Sequence, residues 1–321
     1  MAKSTYLFEK FSDNLGTVLS SMKVNLNSGD FAPHERLYLC PLSLKVFSHL
    51  TIDHKAIDCL SREHVPPKNS GGQIRCLTAK DLNNNAALLD LKLEERTKYV
   101  DASRNRAPLI VKAKVENALY YKLIMDLNTE KPNIKFIGHK DNPKAVNLVE
   151  KLKSGETFNV DIKLPSEKAS PLTKISYLKN AYLLAFSDIG YEIIFGLAKF
   201  HHPFINRLRC TIINKDVNED LSNVQEVDYP DNMEGLSIMR LDNNLTALAV
   251  CYALPLKSGN KLKIRVIFPN PYDIDFEFKN HLKADKAFHY YNINHIISKV
   301  GNEPSPDKIS YWKLWHLDYI K

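Results

Sequence analysis

An acidic residue and a histidine, Glu63 and His64, stand side by side immediately before the sequence Val-Pro-Pro. A carboxylate oxygen is a hard ligand suited to Mg²⁺ or Mn²⁺, and an imidazole can accept a proton from water near neutral pH. Hydrolysis of a phosphodiester bond needs both groups, because the attacking water requires a base and the phosphate requires a cation for its developing charge. The pair is therefore the first candidate for a catalytic site, and an ordinary surface pair is the alternative.

A third candidate, Asn83, opens a predicted helix downstream of this pair. Its carboxamide oxygen is another hard ligand for a divalent cation. Adjacent residues of a strand point to opposite faces, so Glu63 and His64 can serve one site only at a strand end or a bulge. The two prolines after Val65 supply such an end, because proline cannot continue a strand ladder or a helix. The alternative for the asparagines at 83–85 is that one of them is simply the N-cap of the helix.

Short strands and helices are predicted around these residues. The first elements are an amphipathic helix within 1–35, a strand ending at 65, a strand over 74–78 and a helix from 82 to about 99. Next come strands over 109–115, 120–127, 134–137 and 158–162, with a helix over 142–152. The last are a long helical stripe over 175–193, with a kink expected at Gly190, and a hairpin that joins 245–256 to 262–268. Helices combined with antiparallel strands predict the α+β fold class.

The length of the chain, 321 residues, exceeds what a single core usually organises, so two or three domains are predicted. The composition, 44% hydrophobic and 25% charged, excludes a disordered chain, a coiled coil and collagen. The predicted domains are 1–105, which holds the candidate site and an N-terminal helix, and a small α+β region at 106–168. A C-terminal α+β domain at 169–321 is expected to recognise a target or a partner protein.

The charge balance favours an anionic partner such as nucleic acid, since the net charge is +7, although a lysine-rich protein without such a partner would show it too. The five cysteines are an odd number at unpatterned spacing, which predicts no disulfide framework and fits the reducing cytoplasm. No apolar run approaches the roughly 18 residues that cross a bilayer, and the N-terminus lacks the apolar region of a signal peptide. We therefore expect a cytoplasmic protein that does not contact membranes.

Residues 38–93 resemble the HNH endonuclease family. The resemblance is carried by the segments Tyr38–Ser43, Leu60–Lys68 and Leu77–Asn84. It implies an N-terminal ββα-metal module, in which a hairpin and a helix hold one divalent cation against the scissile phosphate. The rest of the chain is then expected to form a mixed α+β domain with antiparallel strands.

The resemblance also implies a role for each candidate residue. Glu63 and Asn83 would be the ligands of one Mg²⁺ or Mn²⁺ ion, and His64 would be the general base that deprotonates water. Hydrolysis would leave a 5′-phosphate and a 3′-hydroxyl on a nucleic acid, with DNA as the expected substrate. By analogy, a prokaryotic restriction or antiviral defence role is expected.

Three basic side chains close to the candidate site, Arg62, Lys68 and Lys80, are the predicted contacts to nucleic acid. Lysine and arginine neutralise backbone phosphates and supply most of the affinity that does not depend on base sequence. A protein partner that binds the C-terminal domain is the further expectation.

The sequence departs from the family at the residues that would bind a structural zinc ion. Two Cys-x-x-Cys pairs are usual, whereas here the pairs are Cys40 with Ser43 and Ala79 with Leu82. Serine is a poor zinc ligand, and alanine and leucine are none, so no structural zinc is expected. The asparagine that orients the histidine in the family aligns near Ile74 and is also missing.

These departures leave alternatives open. A zinc site rebuilt from Cys40, Cys59 and Cys76 is one, although the three thiols lack pair spacing. The broader alternative is a catalytically impaired HNH-like module that binds nucleic acid or another protein.

Overall fold

The secondary structure mixes helices with antiparallel strands, so the predicted α+β class is confirmed at that level. The computed structural model describes residues 3–22, 36–52, 58–105, 108–115, 119–126, 133–137, 153–155, 160–162, 167–196, 203–240, 246–271 and 289–292. The predicted helix over 142–152 lies outside the described residues.

The first elements run from the N-terminus through the candidate site. They are α1 (Lys3–Met22), β1 (Leu37–Leu39), β2 (Val46–Ser48), β3 (Leu60–Val65), β4 (Gln73–Ala79), α2 (Lys80–Asn85) and α3 (Ala87–Asn105). Two single 3₁₀ turns, His49–Ile52 and Lys68–Ser70, follow β2 and β3. The helix predicted from 82 to about 99 is therefore two helices, which meet at Ala86.

The remaining elements are mostly strands. They are β5 (Leu109–Val115), β6 (Leu119–Asp126), β7 (Asn133–Ile137), β8 (Val160–Ile162), α4 (Pro171–Ile189), α5 (Glu192–Phe195), α6 (Pro203–Asn214), β9 (Val224–Glu226), β10 (Gly235–Arg240), β11 (Thr246–Pro255), β12 (Lys261–Pro269) and β13 (His289–Asn292). They form a four-stranded sheet in the order β7-β6-β5-β8 and a five-stranded sheet in the order β13-β10-β11-β12-β9. The predicted hairpin of the last third is confirmed as the neighbouring strands β11 and β12.

The packing divides the chain into two compact units. The first unit contains Met1–Lys92, Pro171–Leu254 and Lys263–Lys321, and the second contains Leu93–Ser170 and Pro255–Leu262. This grouping differs from the three consecutive segments 1–105, 106–168 and 169–321. The two groupings differ because α4 packs against the N-terminal elements, as its contacts with Phe11 and Glu63 indicate.

The second unit has a small core of its own. The end of α3 packs with the antiparallel strands β5 and β6. Its buried side chains are Ala102, Leu109, Val111, Ala113, Leu123 and Met125, with Tyr99 and Ile162 packed against them. These strands alternate buried and more exposed positions, as expected for a sheet with one buried face.

Helix α4 lies at the centre of the first unit. Most of its side chains are buried on every face of the helix, which marks a core helix rather than an amphipathic surface helix. It ends at Gly190, whose φ of 63° is left-handed and therefore favours glycine. The expected kink at Gly190 is thus a helix end.

The aromatic core of this unit joins α1 to α4 and β1. The rings of Phe11 and Phe186 stack with centroids 4.6 Å apart, and the rings of Phe8 and Tyr38 stack at 5.8 Å. Such pairs contribute beyond the apolar area that they bury. The predicted amphipathic helix within 1–35 is confirmed over the bounds of α1, whose apolar stripe is buried.

Candidate active site

The antiparallel hairpin of β3 and β4 carries the Glu63–His64 pair. Its register pairs Glu63 with Cys76 and then shifts, so that His64 pairs with Ile74. Arg75 is the extra residue of this β-bulge, which lies at the junction between the two candidate residues. Bulges re-aim side chains and are common beside functional sites.

Glu63 is buried on the hairpin, with only 3% of its side chain exposed. Its Oε1 atom lies 2.9 Å from the ammonium nitrogen of Lys179, and its Oε2 atom accepts a hydrogen bond of 3.1 Å from the hydroxyl of Thr78. A buried carboxylate requires such partners, because desolvation of an unpaired charge is very unfavourable. Both oxygens of Glu63 are therefore held in place.

Lys179 comes from the middle of α4 and is the more deeply buried partner, with 1% of its side chain exposed. Its Nζ also lies 3.2 Å from Asp90 Oδ1 on α3, a carboxylate that is 34% exposed. Burial disfavours the charged form of Lys179, but the charges of Glu63 and Asp90 outweigh this and raise the pKa of Lys179 above its usual value. The ammonium therefore stays charged at neutral pH.

Asn83 lies within α2, next to the strand that carries the pair. Its Nδ2 donates to Ser61 Oγ at 3.0 Å and to the carbonyl oxygen of Arg62 at 3.4 Å. The helix begins at Lys80 with Ala79 as the N-cap residue, so the alternative that one of the three asparagines is the N-cap is wrong. Asn83 instead fastens the helix to the strand.

The described hydrogen bonds and ion pairs of Asn83 and Glu63 are made to different partners. Asn83 contacts the two residues that precede Glu63 in β3, whereas Glu63 contacts Thr78 and Lys179. His64 occupies the next strand position and is half-buried. The pairing of Glu63 with Lys179 was missed by sequence reasoning, although a lysine within the apolar stripe of residues 175–193 is a signal for a buried charge.

Four basic residues lie on the hairpin or next to it in the sequence. Arg62 and Lys68 are exposed, and Lys80 is half-buried at the start of α2. Arg75 at the bulge is also exposed, and it was missed because a bulge is not visible in the sequence pattern. These side chains are suited to phosphate oxygens.

The residues aligned with the two zinc pairs lie side by side. Cys40 is buried, and its Sγ accepts hydrogen bonds from the backbone nitrogens of Ser43 at 3.5 Å and Ala79 at 3.3 Å. Cys76 is buried nearby, and burial, with smaller contributions from Glu63 and Cys40, raises the pKa of its thiol well above the usual value. Packed side chains, among them the protonated thiol of Cys76, therefore fill this region.

Three buried tyrosine hydroxyls position the strands around the hairpin. The Tyr38 hydroxyl donates to the carbonyl of Leu77 at 2.6 Å and accepts from the amide of the same residue at 3.2 Å. Tyr191 makes the same pair of bonds with Leu39, at 2.6 and 2.9 Å. Tyr182 donates to a backbone carbonyl in the turn after β1 at 2.8 Å. Tyr38 therefore fastens β1 to β4, and Tyr182 and Tyr191, which follow α3 in the sequence, fasten β1 and the turn after it.

A carboxylate and a carboxamide are donors that a hard divalent cation prefers, but both carboxylate oxygens of Glu63 already contact Lys179 and Thr78. The positive charge beside Glu63 Oε1 is the ammonium of Lys179. In the part of the chain that the structure describes, no three His, Cys, Asp or Glu side chains group closely enough to hold a metal ion. The alternative zinc site of Cys40, Cys59 and Cys76 is therefore not assembled.

Comparisons of the chain with protein-family models, with curated proteins and with solved structures find no match. Among the described helices, none is long and apolar enough to cross a membrane. The chemistry of the site is therefore inferred from its own residues and their contacts.

Proposed function

We propose that this chain is a metal-dependent endonuclease of the HNH type that hydrolyses phosphodiester bonds of nucleic acid, with DNA as the expected substrate. Glu63 and Asn83 are the proposed ligands of one Mg²⁺ or Mn²⁺ ion, and His64 is the proposed general base. The observation that supports this is the hydrogen bond from Asn83 to Ser61. It fastens the helix that carries the carboxamide to the strand that carries the acid and the imidazole.

Each side chain has a task in this proposal. When bound, the divalent cation would stabilise the charge that develops on a phosphate oxygen. His64 is half-buried and would accept the proton of the attacking water. Lys179 and Thr78 restrain the carboxylate of Glu63. The Nδ2 atom of Asn83 is used within the chain, which leaves its carboxamide oxygen as the ligand atom.

The substrate would be held by the basic residues of the hairpin. Arg62 and Lys68 are exposed on either side of His64 in the sequence and are suited to the phosphates that flank the scissile bond. Lys80 at the start of α2 would extend the same surface. The proposed location is the cytoplasm, and the proposed role, taken from the family resemblance, is restriction or antiviral defence.

A plasmid-nicking assay with Mg²⁺ or Mn²⁺ tests this function. We expect His64→Ala to lower the cleavage rate by about 10²–10⁴-fold, the usual contribution of a general base. The matched control is His49→Ala, because His49 is exposed on a 3₁₀ turn outside the hairpin. Asn83→Ala is expected to abolish metal-dependent cleavage, whereas Asn84→Ala, an exposed neighbour on the same helix, is expected to retain it. Equal nicking by wild type and His64→Ala would refute the enzymatic proposal.

A second candidate function is a nucleic-acid-binding module without nuclease activity. The observation that favours it is the engagement of both Glu63 oxygens by Lys179 and Thr78. This candidate predicts that the wild-type chain binds labelled DNA, with loss of binding in Arg62→Ala combined with Lys68→Ala, and cleaves nothing at any divalent metal concentration. Anisotropy titrations and nicking assays on one sample separate the two functions.

A further inference from the structure

The four-stranded sheet of the second unit has a second face, opposite to the one that packs with the end of α3. Successive residues of a strand point to opposite faces, and the exposures in β5 and β6 follow this alternation. Ile110 is 47% exposed, whereas Leu109 and Val111 on either side of it are buried. Lys122 is exposed, and the next residue, Leu123, is buried. We call the side that carries Ile110 and Lys122 the open face of the sheet.

Three lysines form a diagonal row across the open face. Lys122 of β6 pairs with position 112 of β5 and with position 137 of β7. Lys114 and Lys135 each lie two residues from those positions, one on either side of Lys122, so both are its diagonal neighbours. Diagonal neighbours on one sheet face are about 7–8 Å apart. Lys122 and Lys135 are exposed, and Lys114 is half-buried. The interval is similar to that between successive phosphates of an extended nucleic-acid strand.

Protection of a sheet edge does not explain these charges. Lysine on a strand often prevents an exposed edge from pairing with another chain, but β5 and β6 are the two inner strands of the sheet. The register also puts lysine at both positions of the cross-strand pair 112 and 122. Like charges at directly opposite positions destabilise a strand pair. Positive charge is therefore gathered on the inner strands at a cost to the sheet, which fits an anionic partner.

Two carboxylates of the same face lie at its margins. Asp161 belongs to the edge strand β8, where it pairs with Lys114, and Asp126 is the last residue of β6. Neither interrupts the row between Lys114 and Lys135. Asp161 is exposed beside one end of the row, so it weakens the attraction of an anion there.

An apolar pair adjoins the row of lysines. Ile110 and Ile124 are register partners, and Ile124 also pairs with Lys135. Lysines bind phosphates, whereas the faces of unpaired bases contact aromatic or apolar side chains. A surface that offers both at neighbouring positions suits a single strand better than a duplex, whose bases are stacked inside. It also suits a single strand better than an acidic peptide, which has no base faces to cover the isoleucines.

We propose that the open face of the four-stranded sheet binds single-stranded nucleic acid. Lys114, Lys122 and Lys135 contact phosphates, and Ile110 with Ile124 contacts the bases. Contacts of this kind depend little on base sequence. The face belongs to the second unit, whereas the hairpin belongs to the first, and the inference requires neither cleavage nor a metal.

Anisotropy titration of the full chain with a labelled oligothymidylate of about 15 nucleotides, in EDTA, tests this binding. Combined replacement of Lys114, Lys122 and Lys135 by Gln should lower the affinity at least about ten-fold at about 50 mM salt. It should also reduce the slope of log K against log salt by about 2, because each phosphate contact to a single strand contributes about 0.7.

The matched control removes the same charge outside the four strands. Lys45→Gln, Lys98→Gln and Lys257→Gln, combined in one chain, replace three exposed lysines and should change the affinity and the slope little. Ile110→Thr keeps a β-branched side chain and should weaken binding at least about three-fold without changing the slope. Asp161→Asn should strengthen binding, because it removes the carboxylate opposite Lys114.

Equal affinities and slopes in the triple variant and its control would overturn the proposal, as would absence of binding by wild type. Displacement of the oligonucleotide by polyglutamate of equal charge as effectively as by unlabelled strand would overturn it in favour of an acidic protein partner. Because the titration contains no metal, a failure of plasmid nicking would count against the nuclease proposal alone.

Discussion

Replacing Lys179 with methionine leaves two carboxylates without the ammonium that lies between them. Glu63 suffers most, because only 3% of its side chain is exposed, whereas Asp90 is 34% exposed and can be hydrated. Loss of one partner from a buried ion pair costs about 3–5 kcal/mol. We expect Lys179→Met to destabilise the hairpin by about that amount.

Removal of both charges should cost less than removal of one. In Lys179→Met combined with Glu63→Gln, no buried carboxylate is left unpaired on β3, and the Gln side chain can still accept from Thr78. Replacement of a buried ion pair by neutral groups is often close to neutral in stability. We therefore expect the double variant to recover at least about half of the loss caused by Lys179→Met.

Hydrogen exchange measured on peptides that cover β3 and β4 reports the opening free energy of this region directly. Lys174→Met is the matched control, since Lys174 is half-buried on the same helix and contacts only a backbone carbonyl among its described hydrogen bonds. It should change the opening free energy by less than about 1 kcal/mol. Wild-type protection in Lys179→Met, or strictly additive losses in the double variant, would show that the ion pair does not hold the hairpin.

Three further changes test the packing around the site. Tyr38→Phe should lower the free energy of unfolding in urea by about 1–3 kcal/mol, because two backbone groups of β4 lose their hydrogen bonds to the Tyr38 hydroxyl. Tyr6→Phe, a change on an exposed ring, should have almost no effect. Because the pKa of Cys76 is raised in the folded chain, the thiol loses its proton at lower pH in the unfolded chain than in the folded one. The free energy of unfolding should therefore fall above about pH 8.5, by up to about 1.4 kcal/mol per pH unit. Cys76→Ala should remove the contribution of this thiol to the fall. Gly190→Ala should lower the melting temperature more than Gly259→Ala, although both glycines have positive φ. An added Cβ at position 190 would lie 2.1 Å from a side-chain oxygen of α1, whereas an added Cβ at position 259 would have no neighbouring atom within 4 Å.

Local patterns predicted much of the secondary structure. The apolar spacing of α1, the alternation in β5 and the proline break after β3 each follow from a preference that a few neighbouring residues express. The stripe of residues 175–193 predicted α4 because its apolar positions recur with helical period. Such signals need no knowledge of the rest of the chain.

The contacts that define the candidate site could not be predicted in this way. Lys179 and Glu63 are far apart in the sequence, and nothing in either local pattern specifies the other as its partner. The expectation that Asn83 opens the helix, and the alternative that one of the asparagines at 83–85 caps it, were wrong because α2 begins at Lys80. The grouping of the chain into two units likewise depends on long-range packing, which no local sequence pattern specifies.

The wide sequence separation between the hairpin and α4 has a consequence for synthesis of the protein. The chain continues for 116 residues from Glu63 to Lys179. At the usual 5–20 residues per second of a ribosome, the acid is made roughly 6–23 s before its ammonium. During that interval the nascent hairpin lacks its counter-charge, and the neighbouring strand β1 lacks the hydroxyls of Tyr182 and Tyr191. The ion pair of the candidate site therefore forms only in the second half of translation, after α4 has been made.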